Sequence, residues 1–334
     1  LSDKIAERTL GPGSIYPIGL GCMNLSHGYG PGPDEVDASA LLNRALDLGC
    51  THLDTAAIYG LGHNEELLGR AVMHRRDEFL LASKCGMDRG PDGKRALDGR
   101  PETLKKTCEG ALRRLGTDVI DLYYLHRMDK KVPIEDSVGA LADLVAAGKI
   151  RAIGLSEVSA ATVRRAHKVH PIAAVQSEYS LWSRNVEIGV LETCREIGAT
   201  LVAFSPLARA FLTGKLRDVT GFPDGDIRAT MPRFTPENYA KNLKLLDGFA
   251  EIAGEVGCSM AQLALSWLLA KAPHIVPIPG TTRIDHLEEN LGAARWRLDA
   301  PTMARLEALI NERTVTGSRY NAAAQATVDT EEFA

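Results

Sequence analysis

The chain has 334 residues, and 39 Lys and Arg against 43 Asp and Glu leave a formal charge of −4. An apolar share of 45% supports a full buried core and argues against global disorder, and the length suits two ordinary domains or one large α/β barrel. A mildly acidic chain without a basic run argues against nucleic acid or an anionic membrane as the partner, and no stretch approaches the ~20 consecutive apolar residues of a membrane span. The opening Leu1-Ser2-Asp3-Lys4 has no apolar signal region, and a start on Leu1 rather than Met is expected to reflect a few missing residues. The cysteines Cys22, Cys50, Cys85, Cys108, Cys194 and Cys258 are scattered without a CxxC pair, which predicts reduced thiols in a cytoplasm.

Thr9-Leu10-Gly11-Pro12-Gly13 has hairpin chemistry and is expected to plug the bottom of a barrel. Short apolar runs then alternate with amphipathic ones. Strands are predicted over 16–21, 51–54, 79–84, 119–126, 150–156, 173–179, 200–205 and 275–279. Most are continuously apolar, as expected of strands buried on both faces. Helices are predicted over 34–48, 101–115, 137–147, 186–197 and 243–256, the second opening on Pro101 and the last four closing before Gly116, Gly148, Gly198 and Gly257. Strand and helix repeating about every thirty residues predicts an α/β fold of the (β/α)8 TIM-barrel type. A doubly wound sheet is the rival, but Gly19-Leu20-Gly21-Cys22-Met23-Asn24 lacks the third glycine of its nucleotide turn. No Ser/Gly-rich linker divides the chain, so residues 1–334 are read as one domain. The long connection 207–239 carries apolar anchors at Phe211, Leu212, Phe222, Met231 and Phe234, and is expected to close over a ligand. The tail 314–334 is polar and has no assigned role.

Barrel chemistry gathers at the C-terminal ends of the strands. Here those ends carry Asp54, Lys84, His126, Ser156-Glu157, Gln176 and Ser205. Any one of them is an ordinary solvent-facing strand end; Asp54, Lys84 and His126 on adjacent strands are a set. Tyr59, five residues after Asp54, can return over the mouth. Lys84 beside it would favour the phenolate, Asp54 would keep Lys84 charged, and His126 would hydrogen-bond a substrate oxygen. That set suits general acid–base chemistry on a carbonyl or alcohol. A second set, Gly280-Thr281-Thr282-Arg283 before a helix, with Ser205, Leu207, Arg209 and Lys215, suits a dinucleotide phosphate.

These residues resemble the aldo-keto reductase superfamily over nearly the whole chain. Gly19 to Met23, Leu53 to Gly60 and Asn64 to Gly69 are similar to its first signature; Leu112 to Gly116 with Asp121 to His126 is similar to its second; Ser205-Pro206-Leu207 and Glu289-Asn290 also match. The Ser156-Glu157 pair resembles the auxin-induced-protein-like and pyridoxal-reductase-like branch, where the broader pattern has Asn after the serine. The resemblance implies a barrel that reduces carbonyls with NADPH, the tetrad falling on Asp54, Tyr59, Lys84 and His126. It places cofactor contacts on Gly21, Met23, Asp54, Ser156, Glu157, Gln176, Phe204, Ser205, Leu207, Arg209, Lys215, Gly280, Thr281, Arg283, Glu289 and Asn290. Substrate is expected against Tyr59 and His126, rimmed by Tyr29, Ile58, Met87, Arg127, Met128 and Trp182. A small carbonyl or alcohol is the expected partner; nucleic acid and membrane are not, no metal is expected, and a homo-oligomer is compatible. Three alternatives stay open: a Schiff-base enzyme on Lys84, an NADPH-binding regulatory subunit with little turnover, and a metal hydrolase on His52 and Asp54.

Overall fold

The computed structural model describes residues 5–90 and 95–333. The chain opens on an antiparallel hairpin of β1 (Arg8–Leu10) and β2 (Gly13–Ile15), whose turn uses Gly11 at φ 52°. Its Leu10 and Ile15 are buried against Leu80, Leu122 and Val276 inside the barrel, so the hairpin is the expected plug. The barrel strands follow: β3 (Leu20–Gly21), β4 (His52–Asp54) and β5 (Leu80–Cys85). A second hairpin, β6 (Met87–Arg89) with β7 (Arg95–Leu97), interrupts the repeat. The barrel then continues through β8 (Ile120–Leu125), β9 (Ile150–Ser156), β10 (Ile172–Glu178), β11 (Thr200–Phe204) and β12 (Ile275–Pro277). Among the described residues these eight are parallel and neighbour one another in chain order. The two ends of the sheet meet where Gly19 N donates to Pro277 O at 3.0 Å and Gly21 N to Pro279 O at 3.3 Å.

Both strands at this seam are shorter than predicted. Pro17, Pro277 and Pro279 carry no N–H and cannot donate to a ladder, so 16–21 contributes only Leu20–Gly21 and 275–279 only Ile275–Pro277. The backbones approach closely at that point. A Cβ on Gly21 would lie 2.9 Å from Ile278 O, and one on Gly280 would lie 2.9 Å from Gly21 O. Inside the barrel the Tyr124 ring occupies the space over Gly154, where a Cβ would come within 2.3 Å of it.

The helix 101–115 has the predicted bounds, with Pro at its first turn and Gly116 closing it at φ 68°. The helix 34–48 is Glu35–Asp47, because Asp34 is the N-cap: its side chain accepts from Asp37 N at 2.8 Å. The helix expected over 137–147 starts earlier, at Ile134 behind Pro133, and 186–197 is broken at Gly189 into a short turn and Val190–Ile197. The connection 207–239 is built from three short 3-10 turns followed by the helix Pro236–Leu243, with Phe211, Leu212 and Phe234 buried. The tail is pinned by side chains. Asn242 donates to Thr316 O and accepts from its N–H, and Arg233 donates to Gly317 O. Asp329 accepts from Ser159 N and Glu331 from Ala160 N, at the positive N-terminal end of the helix Ala160–Val169.

Candidate active site

The ends of β4, β5, β8, β9, β10 and β11 bring Asp54, Lys84, His126, Ser156, Gln176 and Phe204 to one mouth. Lys84 is fully buried. Its Nζ donates to Asp54 Oδ1, to Thr55 O at 2.8 Å and toward the Tyr59 hydroxyl at 3.4 Å. Asp54 Oδ2 accepts from Gln176 Nε2 at 2.8 Å, so both carboxylate oxygens are engaged. Tyr59 returns to this cluster because the next turn runs left-handed through Gly60 (φ 59°), Leu61 (φ 56°) and Gly62 (φ 98°). Asn64, fully buried, fastens that turn by accepting from Thr55 Oγ1 at 2.6 Å and donating to Cys22 O at 2.9 Å. The Tyr59 and His126 rings meet edge to face at 5.8 Å.

Burial pushes the Tyr59 phenol above its ordinary value, and the Lys84 ammonium opposes that without cancelling it. Lys84 favours the phenolate as expected, but desolvation, which the sequence does not show, is the larger effect and leaves the phenol above its ordinary value. Burial likewise pulls Lys84 down, but Asp54 and Tyr59 together outweigh it and hold the ammonium above its usual range. Lys84 stays charged, which disfavours a Schiff base on it.

The mouth opens into a cavity of ≈ 1010 Å³. Its wall contains Tyr29, Ile58, Met87 and Arg127 beside Tyr59 and His126, and all the expected cofactor positions except Glu157. Three expected residues lie elsewhere. Glu157 has φ 56° and turns inward, its carboxylate accepting from Glu178 N at 2.8 Å and pairing with the buried Arg319 of the tail. Trp182 is 3% exposed and stacks on Phe211 with ring centroids 4.0 Å apart, so it belongs to the core. Met128 also packs against the core. Arg127 does not pair with Asp129; its Nη1 donates to His126 O at 2.6 Å and to Ser156 Oγ at 3.0 Å.

At the other end the backbone after β11 carries Ser205, Ala208, Arg209 and Ala210 at φ between 48° and 77°, a strained run of the kind held at binding sites. The N–H groups of Leu207, Arg209 and Ala210 find no acceptor among the described residues, which fits an anion-binding loop. Lys215 lies 3.7 Å from Glu289, and Arg283 pairs with Asp285 at 2.6 Å; both cations are solvent-exposed. Arg209 is buried on Glu178 at 2.9 Å. With glycines at 21 and 280 where a side chain would clash, these donors and cations fit an extended phosphate-bearing ligand.

Four wall residues, Tyr320, Ala324, Thr327 and Val328, come from the tail and were not anticipated. The one hint was Glu157 itself, a carboxylate at a buried strand end that required a cation from elsewhere.

Eight parallel strands with acid–base groups at their C-terminal mouth and a phosphate cradle beside it define a (β/α)8 barrel oxidoreductase. Residues 17–311 match the aldo/keto reductase family, and the chain belongs to it. It is 44% identical over 323 residues to the aldo-keto reductase yakc [NADP(+)] of Schizosaccharomyces pombe, covering 95% of each chain. Among solved structures it resembles a glycerol dehydrogenase from Gluconobacter oxydans, with a TM-score of 0.84, 30% identity, and coverage of 91% of this chain and 94% of that one. It also resembles an aldo-keto reductase from Klebsiella pneumoniae in complex with NADPH, with a TM-score of 0.72, 28% identity, and coverage of 95% and 99%.

Proposed function

We propose that this chain, acting as one domain, reduces aldehydes or ketones to alcohols with NADPH, reversibly. The observation that carries the reading is the buried Asp54–Lys84–Tyr59 chain ending on a phenol that faces the cavity beside His126. When bound, the cofactor supplies a hydride to the carbonyl carbon. Ser156 and Gln176 would hold its carboxamide and Phe204 its ring. Ser205, Leu207, Arg209 and Lys215 would lie along the pyrophosphate. Gly280, Thr281 and Arg283 would take the 2′-phosphate, and Glu289 and Asn290 the adenine. His126 and Tyr59 orient the carbonyl oxygen. Tyr59 gives that oxygen its proton as negative charge develops there, and Lys84 stabilises the phenolate left behind. Asp54 keeps Lys84 charged and aimed. In the reverse direction the phenolate takes the alcohol proton.

The complete tetrad favours turnover over the regulatory alternative. The six cysteines are all free thiols, in keeping with a cytoplasmic setting. Absorbance at 340 nm with NADPH and a carbonyl panel tests the reading. Tyr59→Phe is expected to lower kcat by about a hundredfold or more while NADPH still quenches protein fluorescence. Turnover at the wild-type rate in that variant rejects the assignment.

A further inference from the structure

The cavity is lined by several cations, and most are neutralised within the protein. In the wall Arg209 faces Glu178 at 2.9 Å, Arg228 faces Asp226 at 2.6 Å, Arg283 faces Asp285 at 2.6 Å, Lys215 faces Glu289 at 3.7 Å and Arg89 also has an interaction partner, while Lys84, buried behind the wall, faces Asp54. Arg127 differs. Among the described residues no carboxylate lies within ion-pair reach of it. Its two hydrogen bonds both leave from Nη1 and both end on neutral oxygens, His126 O and Ser156 Oγ. The Nε–H and the two Nη2–H donors take no partner among the described residues. Those donors form one edge of the guanidinium fork, the edge that receives both oxygens of a carboxylate in a bidentate pair.

The position of this open edge is informative. Arg127 follows His126 directly in the chain, lines the cavity, and is near enough to Tyr59 for its charge to favour the phenolate. Asp54 and Lys84 cancel one another, so the charge of Arg127 at the reacting end has no carboxylate partner among the described residues. A guanidinium kept in a half-buried cavity wall without a counter-charge is costly unless a ligand supplies one. The two bonds from Nη1 hold the group in place, so a ligand would meet a fork already oriented.

We infer that Arg127 is an anion anchor and that the preferred substrates are carbonyl compounds carrying a carboxylate a few bonds from the reacting carbon. The inference rests on the carbonyl-reductase reading and narrows its substrate class.

The test compares 3-formylbenzoate with 3-formylbenzamide, which has nearly the same shape and no charge, on wild type, Arg127→Met and Arg127→Lys. Wild type is expected to favour the acid by about tenfold or more in kcat/KM, with the difference in KM. In Arg127→Met the acid-to-amide ratio should fall to about one, and Arg127→Lys, which keeps the charge but not the fork, should retain part of it. Titration calorimetry of both compounds into enzyme saturated with NADP⁺ reads the same preference without turnover. Equal handling of acid and amide by wild type, or an unchanged ratio in Arg127→Met, overturns the anchor while any reduction of both aldehydes leaves the reductase reading standing. If neither aldehyde is reduced yet the acid binds more tightly in an Arg127-dependent way, the anchor stands and the reductase reading falls. Neither turnover nor preference rejects both.

Discussion

At Tyr59 burial and charge act in opposite directions, and the balance has a consequence for pH. Burial holds the phenol protonated beyond its ordinary value near ~10, with Lys84 pulling against it. Carbonyl reduction needs the phenol, so its rate should be flat through neutral pH and fall only as pH rises through the Tyr59 value. Alcohol oxidation needs the phenolate and should climb with pH over the same range. Lys84→Met removes the cation that favours the phenolate, and Asp54, left behind, disfavours it further. The oxidative limb should therefore move to higher pH, and the rate at its foot should drop about tenfold for each unit of movement. Initial rates of alcohol oxidation across the alkaline range check this; a limb that stays in place would mean Lys84 does not set the acidity of Tyr59. Asp54, Lys84 and His126 were legible in the sequence because each ends an apolar run. The sign of the Tyr59 shift was not, because a sequence names the charges near a group but not how much water surrounds it.

The tail shows what is lost when an element is read from its neighbours in sequence alone. Glu157 stands next to Ser156, and the resemblance put both on the cofactor. Its carboxylate instead meets Arg319, 162 residues further along the chain, and Asp329 N donates to Glu157 O at 2.9 Å. Arg319 brings Tyr320 with it, and the Tyr320 hydroxyl accepts from Arg209 at 3.4 Å. Side chains of Glu157 and Arg319 are 0% and 3% exposed, so either one alone would be a buried, uncompensated charge. Glu157→Gln and Arg319→Met should each destabilise the protein by about 3–5 kcal/mol, whereas the double variant should lose clearly less than the sum. Urea unfolding of the four proteins reads the coupling directly. Strictly additive losses would show that the pair does not hold the tail to the mouth. The tail carries no helical or strand period of note, since polar pairs and a few isolated apolar contacts, such as Val315 and Val328, hold it rather than a continuous apolar face. That is why composition gave no warning of it.

For the whole molecule the repeat of eight apolar runs was enough to predict the barrel, but not how it closes. Closure depends on two short, proline-limited strands that approach so closely that side chains are excluded. Gly280 sits at this seam and in the cavity wall together, with Gly21 O 2.9 Å and Asn24 Oδ1 3.1 Å from where its Cβ would be. The first of these contacts is backbone and cannot yield without shifting β3. Gly280→Ala should therefore destabilise the fold by about 1–3 kcal/mol and also weaken NADPH binding, because the displaced backbone forms the cradle. Gly139 provides the contrast. It lies within the helix Ile134–Ala146, where a Cβ would meet nothing within 4 Å. Gly139→Ala should stabilise the protein by up to about 1 kcal/mol through helix propensity and leave cofactor affinity unchanged. Thermal unfolding and fluorescence titration with NADPH on the two variants separate the effects. Should Gly280→Ala bind NADPH as wild type does while losing stability, the seam would serve closure alone; a loss in both measurements ties the joint of the barrel to its binding site.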